Sequence, residues 1–195
     1  PIKRRNISHN LELDEDASNY LDELDKNDIL IVGAGEFQPR KGIDLFVAVA
    51  SQIKQKKYSA NIKFAWMGGG YNPIDDFNVS IWIKDQIMRS GLSKDLKILN
   101  KSKDYTRLIN RADIFLMTSR LDPLPNVAID AMCASKPMFC FDKACGIANL
   151  LKNDKKLGDS LVVEYLNTVE MAEKVIDIIR DKEKMNSIAQ TVYEQ

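Results

Sequence analysis

The sequence predicts an α/β protein in which a parallel sheet carries helices on both faces. Three observations lead there. Short apolar runs, among them Ile29 to Gly35, Asn61 to Met67 and Ala112 to Met117, have the length of buried strands and are too short to be buried helices. Each run ends in glycines or polar turn residues and gives way to a stretch with helical apolar spacing. Strand and helix then alternate to the end of the chain, an order that builds a parallel sheet through right-handed crossovers and collects ligands at the carboxyl ends of its strands.

Residues 1–28 begin basic (Lys3, Arg4, Arg5), turn acidic (Glu12, Asp14, Glu15, Asp16) and carry a weak apolar pattern at Tyr20, Leu21 and Leu24, which reads as a lead segment with one or two helical turns. The first strand, ILIVGAG, is an unbroken apolar run of the kind found in the middle of a parallel sheet. From Gly42 the chain turns helical, with Leu45, Phe46, Val49 and Ile53 on one face and a basic end at Lys54, Lys56 and Lys57 that complements the helix dipole. A second strand to Met67 leads through Gly68-Gly69-Gly70 into a helix near Phe77 to Ser90 that Gly91 ends. A strand from Leu96, a short helix from Tyr105 to Arg111 and the strand Ala112 to Met117 follow. The remaining elements are a central helix opening at Pro125, a strand Pro137 to Phe141, a short helix Ala148 to Lys152, a short strand Leu161 to Val163 and a last helix from Thr168. The domain is expected over 29–182, with a helical tail at 183–195.

Bulk properties exclude several classes of function. A chain of 195 residues suits one domain with a sizeable core. Lys plus Arg and Asp plus Glu are 28 each, so no global field draws it to nucleic acid. The longest apolar runs are strand-sized and span no membrane. No charged-then-apolar leader opens the chain, so a cytoplasmic location is expected. The start at Pro1 suggests a piece of something longer. Cys133, Cys140 and Cys145 lack metal-ligand spacing and sit beside apolar residues, as reduced core thiols do. His9 stands alone in the lead segment, which leaves neither a zinc site nor a histidine relay.

The densest stretch is SRLDPLPNVAIDAM, Ser119 to Met132. Asp122, Pro123 and Pro125 stop the preceding strand and open a helix, whose first amides have no intrahelical partner and face the positive end of the dipole, a natural place for phosphate. Asp130 is crowded by Ala128, Ile129, Ala131 and Met132 on a helix expected to be packed inside. A buried acid wants a partner, and side chains lean toward a helix N-terminus, so Asp130 is expected to point at the phosphate mouth and accept from a ligand hydroxyl. The plain alternative is that Asp122 caps the helix and Asp130 meets solvent or a basic residue. Four loops should converge on the same edge: Gly33 to Lys41, Met67 to Asn72, Leu99 to Asp104 and Thr118 to Asn126. Their glycines let backbone approach a ligand, and Arg40 and Lys41 would meet a phosphate there. A dinucleotide fingerprint fits poorly, because Gln38 stands where its third glycine should be and the second strand ends in Trp66, Met67 and Gly68 rather than an acid. No Gly-Lys-Ser/Thr follows the glycines, so a phosphate-loop nucleotidase is weaker still.

Taken together and in order, VGAGEFQPRKGIDLF, WMGGG, ADIFLMTSRLDPLPNVAIDAM, KPMFCFD and CGIANLL resemble the donor-binding, C-terminal domain of the retaining group 1 glycosyltransferases of the GT-B fold. The likeness covers about Ile29 to Arg180 and implies a Rossmann-like sheet that is one half of a GT-B protein. The family's mark is two glutamates with seven residues between them, and Asp122 and Asp130 occupy those places. By that resemblance Asp130 accepts from the nucleotide ribose, Asp122 faces the donor sugar, Asn126 and Val127 offer amides to the diphosphate, and Lys41 sets a positive charge on it. Gly35 and Arg40 belong to the same phosphate loop, Gly68 and Gly70 line the nucleotide or sugar pocket, and Asn100 to Ser102 lie against the base.

The implied reaction moves a hexose from a nucleoside diphosphate sugar to a glycan or lipid-linked acceptor, with Asp122 and Lys41 at the chemistry and no metal. The acceptor-binding N-terminal domain lies outside this chain, and the full-length protein could meet the inner face of a membrane. The departures are aspartates for both glutamates, Glu36 where an arginine is usual, Asn149 for a glutamate, and Ala144-Cys145-Gly146 for a glycine run. They leave two other readings open: a degenerate binding or assembly module and, at greater distance, a nicotinamide-dependent oxidoreductase.

Overall fold

The computed structural model describes residues 17–56, 61–76, 78–101 and 105–195. Six parallel strands form one sheet: β1 (Ile29–Ala34), β2 (Ile62–Met67), β3 (Leu96–Leu99), β4 (Ile114–Met117), β5 (Met138–Phe141) and β6 (Val162–Val163), in the order β3-β2-β1-β4-β5-β6. The Rossmann-like α/β expectation is met. The order runs outward in both directions from β1 and β4, so the turns leaving these two neighbours diverge and open a crevice at the carboxyl edge.

The helices are α1 (Ala17–Glu23), α2 (Ile43–Gln55), α3 (Ser80–Arg89), α4 (Tyr105–Arg111), α5 (Asn126–Cys133), α6 (Gly146–Asn153), α7 (Lys155–Leu161), α8 (Thr168–Arg180) and α9 (Lys182–Tyr193). None of the described helices is long and apolar enough to cross a membrane. Helix α2 turns Phe46, Val49, Ala50 and Ile53 inward and packs between α3 and α8. The ring of Phe46 meets the edge of Trp66 at 5.4 Å and of Phe64 at 6.4 Å, which fixes α2 over β2. Helix α1 lies in the segment read as a lead, yet it buries Ala17 and Tyr20 and packs against α4.

Three differences from the sequence reading have local causes. Helix α7 was not expected. It forms because the Asp154 carboxylate accepts from the Leu157 amide at 3.0 Å, and Leu157 and Leu161, four apart, both turn inward. This helix shortens the expected strand to Val162–Val163. The helix from Thr168 ends at Arg180, and the Asp181 side chain takes the Lys184 amide at 2.9 Å to start α9, which runs through the stretch expected as a helical tail. The helix expected near Phe77 to Ser90 starts at Ser80, and Phe77 itself lies outside the described residues, as do His9, Lys57 and Ser102.

Candidate functional site

The site is built on the turn between β1 and α2. Pro39–Lys41 form a 3-10 turn that closes on Gly42. Gly42 has φ +70°, and a Cβ there would stand 2.0 Å from the Thr118 carbonyl oxygen, so only glycine lets this turn press against the exit of β4. Three hydrogen bonds hold the two segments together. Thr118 Oγ1 donates to the Gly42 carbonyl (2.9 Å), the Arg120 amide donates to the Arg40 carbonyl (2.8 Å), and the Arg120 guanidinium donates to the Pro39 carbonyl (2.7 Å). The same guanidinium grips Asp44 at 2.8 and 2.6 Å in a two-pronged ion pair.

This clamp sets Lys41 against Asp122. The Lys41 ammonium lies 2.5 Å from the Asp122 carboxylate, and the side chains are only 15% and 10% exposed. Arg40 stands farther off, 3.9 Å from the other carboxylate oxygen and half exposed. Asp122 is held from its far side as well. Its amide donates to the Ala144 carbonyl at 2.9 Å, it bridges in parallel to Cys145, and the Gly146 amide donates to the Pro123 carbonyl at 2.9 Å. Asp122 does not cap the following helix, because the residue at that position is Pro125 and no side chain caps it.

Helix α5 corrects one expectation. Ala128, Ala131 and Met132 form its buried stripe, spaced three and four apart, and this rotates Asn126, Ile129, Asp130 and Cys133 toward solvent. Asp130 is therefore exposed rather than buried, and the apolar neighbours that crowd it in sequence lie on another face. It makes no ion pair among the described residues. The amides of Asn126 and Val127, in the first turn, have no acceptor among the described residues. The exposed thiol of Cys133 corrects the reading of three core cysteines, while Cys140 and Cys145 are buried as expected. The Cys145 thiol is drawn down to about 7 by its hydrogen bond with Cys140 and by the Ile147 and Ala148 amides.

The glycine loops come to the same edge. The Gly35 amide donates to the Met67 carbonyl, Phe37 to Gly69 and Gly68 to Leu99, each at 3.0 Å. A Cβ on Gly68 would fall 1.8 Å from the Gly35 carbonyl oxygen, so the two loops touch backbone to backbone. Gly70 is exposed at the tip, beside the Phe37 and Tyr71 rings, whose centroids are 4.8 Å apart. Behind that tip Asp76 accepts from the amides of Ser80 (2.9 Å), Asn78 (3.0 Å) and Val79 (3.2 Å) and from the Ser80 hydroxyl (2.8 Å). The Ser80 amide and hydroxyl bonds are the main reasons its pKa falls to about 2. Glu36, the acid where the resemblance has an arginine, is exposed and takes the Gln38 amide group at 2.9 Å, while Arg40 donates to Gln38 at 3.0 Å. Arg40 is thus linked to Glu36 through one side chain.

The structure brings Gly35, Arg40, Lys41, Gly68, Gly70, Asp122, Asn126 and Val127 to the carboxyl edge, with Asp130 one turn along α5. Sequence reasoning missed Tyr105 at the start of α4. Its hydroxyl donates to the Val127 carbonyl at 3.3 Å, and its ring lines a cavity of about 300 Å³ between α4 and α5 together with Asp130 and Cys133. Burial first, and the Asp130 charge second, push the Tyr105 pKa above its ordinary value.

The sheet order and its crossovers are those of one half of a GT-B fold. Over residues 17–195 the chain matches the family described as Glycosyl transferases group 1, and it belongs to that family. Among curated proteins it is similar to the amylovoran biosynthesis glycosyltransferase AmsD of Erwinia amylovora, 24% identical over 110 residues, which cover 56% of this chain and 30% of that protein. Among solved structures, S. aureus TarM in complex with UDP superposes with a TM-score of 0.73 at 20% identity, over 88% of this chain and 32% of TarM. Anabaena HepE in complex with UDP and glucose gives 0.72 at 22% identity, over 86% and 43%. WaaG, a glycosyltransferase involved in lipopolysaccharide biosynthesis, gives 0.74 at 14% identity, over 90% and 44%. The chain spans less than half the length of each of these proteins. Family membership displaces the nicotinamide reading, and so does the clamped turn that separates β1 from α2, where a dinucleotide fingerprint would run directly into the helix.

Proposed function

We propose that this chain is the donor-binding half of a retaining glycosyltransferase that takes a hexose from a nucleoside diphosphate sugar to a glycan or lipid-linked acceptor. The observation that carries the reading is the Lys41 ammonium, fixed beside Asp122 at the strand reversal, on the same carboxyl edge as the amides of Asn126 and Val127, which have no acceptor among the described residues. Those three groups stabilise the negative charge that grows on a departing diphosphate, and Arg40 adds a more mobile cation at the rim. Asp130 accepts from the ribose hydroxyls, and Asp122, once released by Lys41, faces the sugar near the reacting carbon. Gly68 and Gly70 let the loop after β2 lie against the nucleotide or sugar. Such charge stabilisation needs no metal. Acceptor binding comes from a domain outside this chain, and a lipid-linked acceptor would bring the whole protein to a membrane surface.

The test is calorimetric titration of the chain with UDP, GDP and ADP. UDP is the first choice, because TarM and HepE have been crystallised with it. Binding by one of the three that disappears in Asp130→Ala supports the reading, and silence from all three at millimolar concentration rejects it. Glu36 favours a second reading, a module that keeps the nucleotide site but no longer turns over, since a negative charge beside a diphosphate is unfavourable. Donor hydrolysis or transfer by the whole protein that Asp122→Ala abolishes decides for the enzyme.

A further inference from the structure

A cavity of about 300 Å³ between α4 and α5 sets Asp130 beside a residue that neither the family resemblance nor the sequence pattern assigns. Its walls are Tyr105, Thr106, Ile109 and Asn110 from α4 and Asp130, Cys133 and Ala134 at the end of α5. Asp130, Tyr105, Thr106 and Asn110 all carry oxygens that can take a hydrogen from a neutral diol, and of the last three Tyr105 is the one close enough to Asp130 to feel its charge. The phenol hydrogen is already committed to the Val127 carbonyl at 3.3 Å, which leaves its oxygen to act as an acceptor. Burial and the nearby Asp130 charge keep the phenol protonated at neutral pH, which preserves that arrangement. Asp130 is one methylene shorter than glutamate and exposed, so it reaches less far into the space beside Tyr105.

Resting on the donor-site reading above, we propose that Tyr105 is a specificity-determining residue: the ribose diol is shared, one hydroxyl donating to Asp130 and the other to the Tyr105 oxygen. The hydroxyl, the phenol and the Val127 carbonyl then form one chain of hydrogen bonds that ends on the first turn of α5, whose amides face the diphosphate. A site built this way distinguishes ribonucleotides from deoxyribonucleotides, since a missing hydroxyl leaves one acceptor unpaired.

Calorimetric titration of the chain and of Tyr105→Phe with UDP, 2′-deoxy-UDP and 3′-deoxy-UDP tests this. The chain is expected to prefer UDP over each deoxy analogue by about three- to tenfold, the range of one hydrogen bond. In Tyr105→Phe, which keeps the ring, UDP should weaken by a similar factor while at least one deoxy analogue binds as before, so that its discrimination collapses to one. Equal weakening for all three nucleotides would mean that Tyr105 only supports α5, and unchanged binding would mean that it does not touch the nucleotide; either result overturns the proposal while leaving the donor site intact. Absence of UDP binding to the unaltered chain overturns both.

Discussion

The Lys41 ammonium and the Asp122 carboxylate, 81 positions apart in sequence, lie 2.5 Å from each other in a largely buried ion pair. Each is also a group the donor would engage, Lys41 through its phosphates and Asp122 through its sugar. The pair therefore competes with the ligand. In Asp122→Asn, which keeps the shape and removes the charge, UDP should bind about three- to tenfold more tightly, since Lys41 no longer has to leave an anion. Transfer by the whole protein should nevertheless fall. Tighter UDP binding by calorimetry together with a lower kcat is the expected split, and weaker UDP binding would show that Asp122 helps to hold the nucleotide.

The reverse deletion acts on stability. Lys41→Ala leaves a 10% exposed carboxylate with only the distant, half-exposed Arg40. Urea denaturation should show a loss of about 3 kcal/mol, the size expected when one partner of a buried pair is removed. Asp122→Asn with Lys41→Ala should recover part of it, because no unpaired charge then remains.

Asp130 should separate binding from folding. It is exposed and its helix is held by Ala128, Ala131 and Met132 on another face, so Asp130→Ala should leave the melting temperature within about 2 °C of the parent. Nucleotide affinity should drop at least about tenfold. A matching loss of Tm would assign the residue to structure instead.

The two close backbone contacts predict a steeper cost. Gly42→Ala brings a Cβ to 2.0 Å from the Thr118 carbonyl oxygen at a left-handed φ of +70°, and Gly68→Ala brings one to 1.8 Å from the Gly35 carbonyl oxygen. Each should lose at least about 2 kcal/mol in urea unfolding, because backbone rather than a side-chain tip must move. Gly69→Ala, with nothing within 4 Å, is the neutral comparison.

Acid should loosen the loop tip through Asp76. Its folded pKa of about 2 lies below the ordinary value of 3.8, first because of the Ser80 amide and hydroxyl. Stability from this group is complete above about pH 4 and is lost as the pH falls through about 2. The difference in Tm between the parent and Asp76→Asn should be present at pH 6 and vanish near pH 2. A difference that persists at pH 2 would rule out the carboxylate as its source.

Much of this arrangement could be read from sequence, because strand and helix periods are local. Ile29–Ala34 and Ile62–Met67 fall within a residue of where their apolar runs place them, and Gly42 was already marked as the start of a helix. The sequence also assigned Lys41 and Asp122 to one edge. Their mutual contact was out of reach, since nothing local reports a pairing across 81 residues. Asp130 shows the opposite failure. Apolar neighbours on either side suggested burial, but adjacent helical positions point about 100° apart, and only the spacing of Ala128, Ala131 and Met132 reveals the inward face. Helix α7 and Tyr105 had usable signs in the sequence: an Asp three residues before Leu157 in one case, and an aromatic residue at the first position of a helix in the other.

The bonds between the 39–42 turn and the 118–120 segment have a consequence for how a donor is received. With three hydrogen bonds, a two-pronged ion pair and a carbonyl pressed against Gly42, neither backbone can swing aside on its own. Whatever parts Lys41 from Asp122 must do so by turning side-chain torsions on a stationary frame. On the donor-site reading, the main chain there needs no reordering to receive a ligand, and side-chain rotation alone has to part the pair.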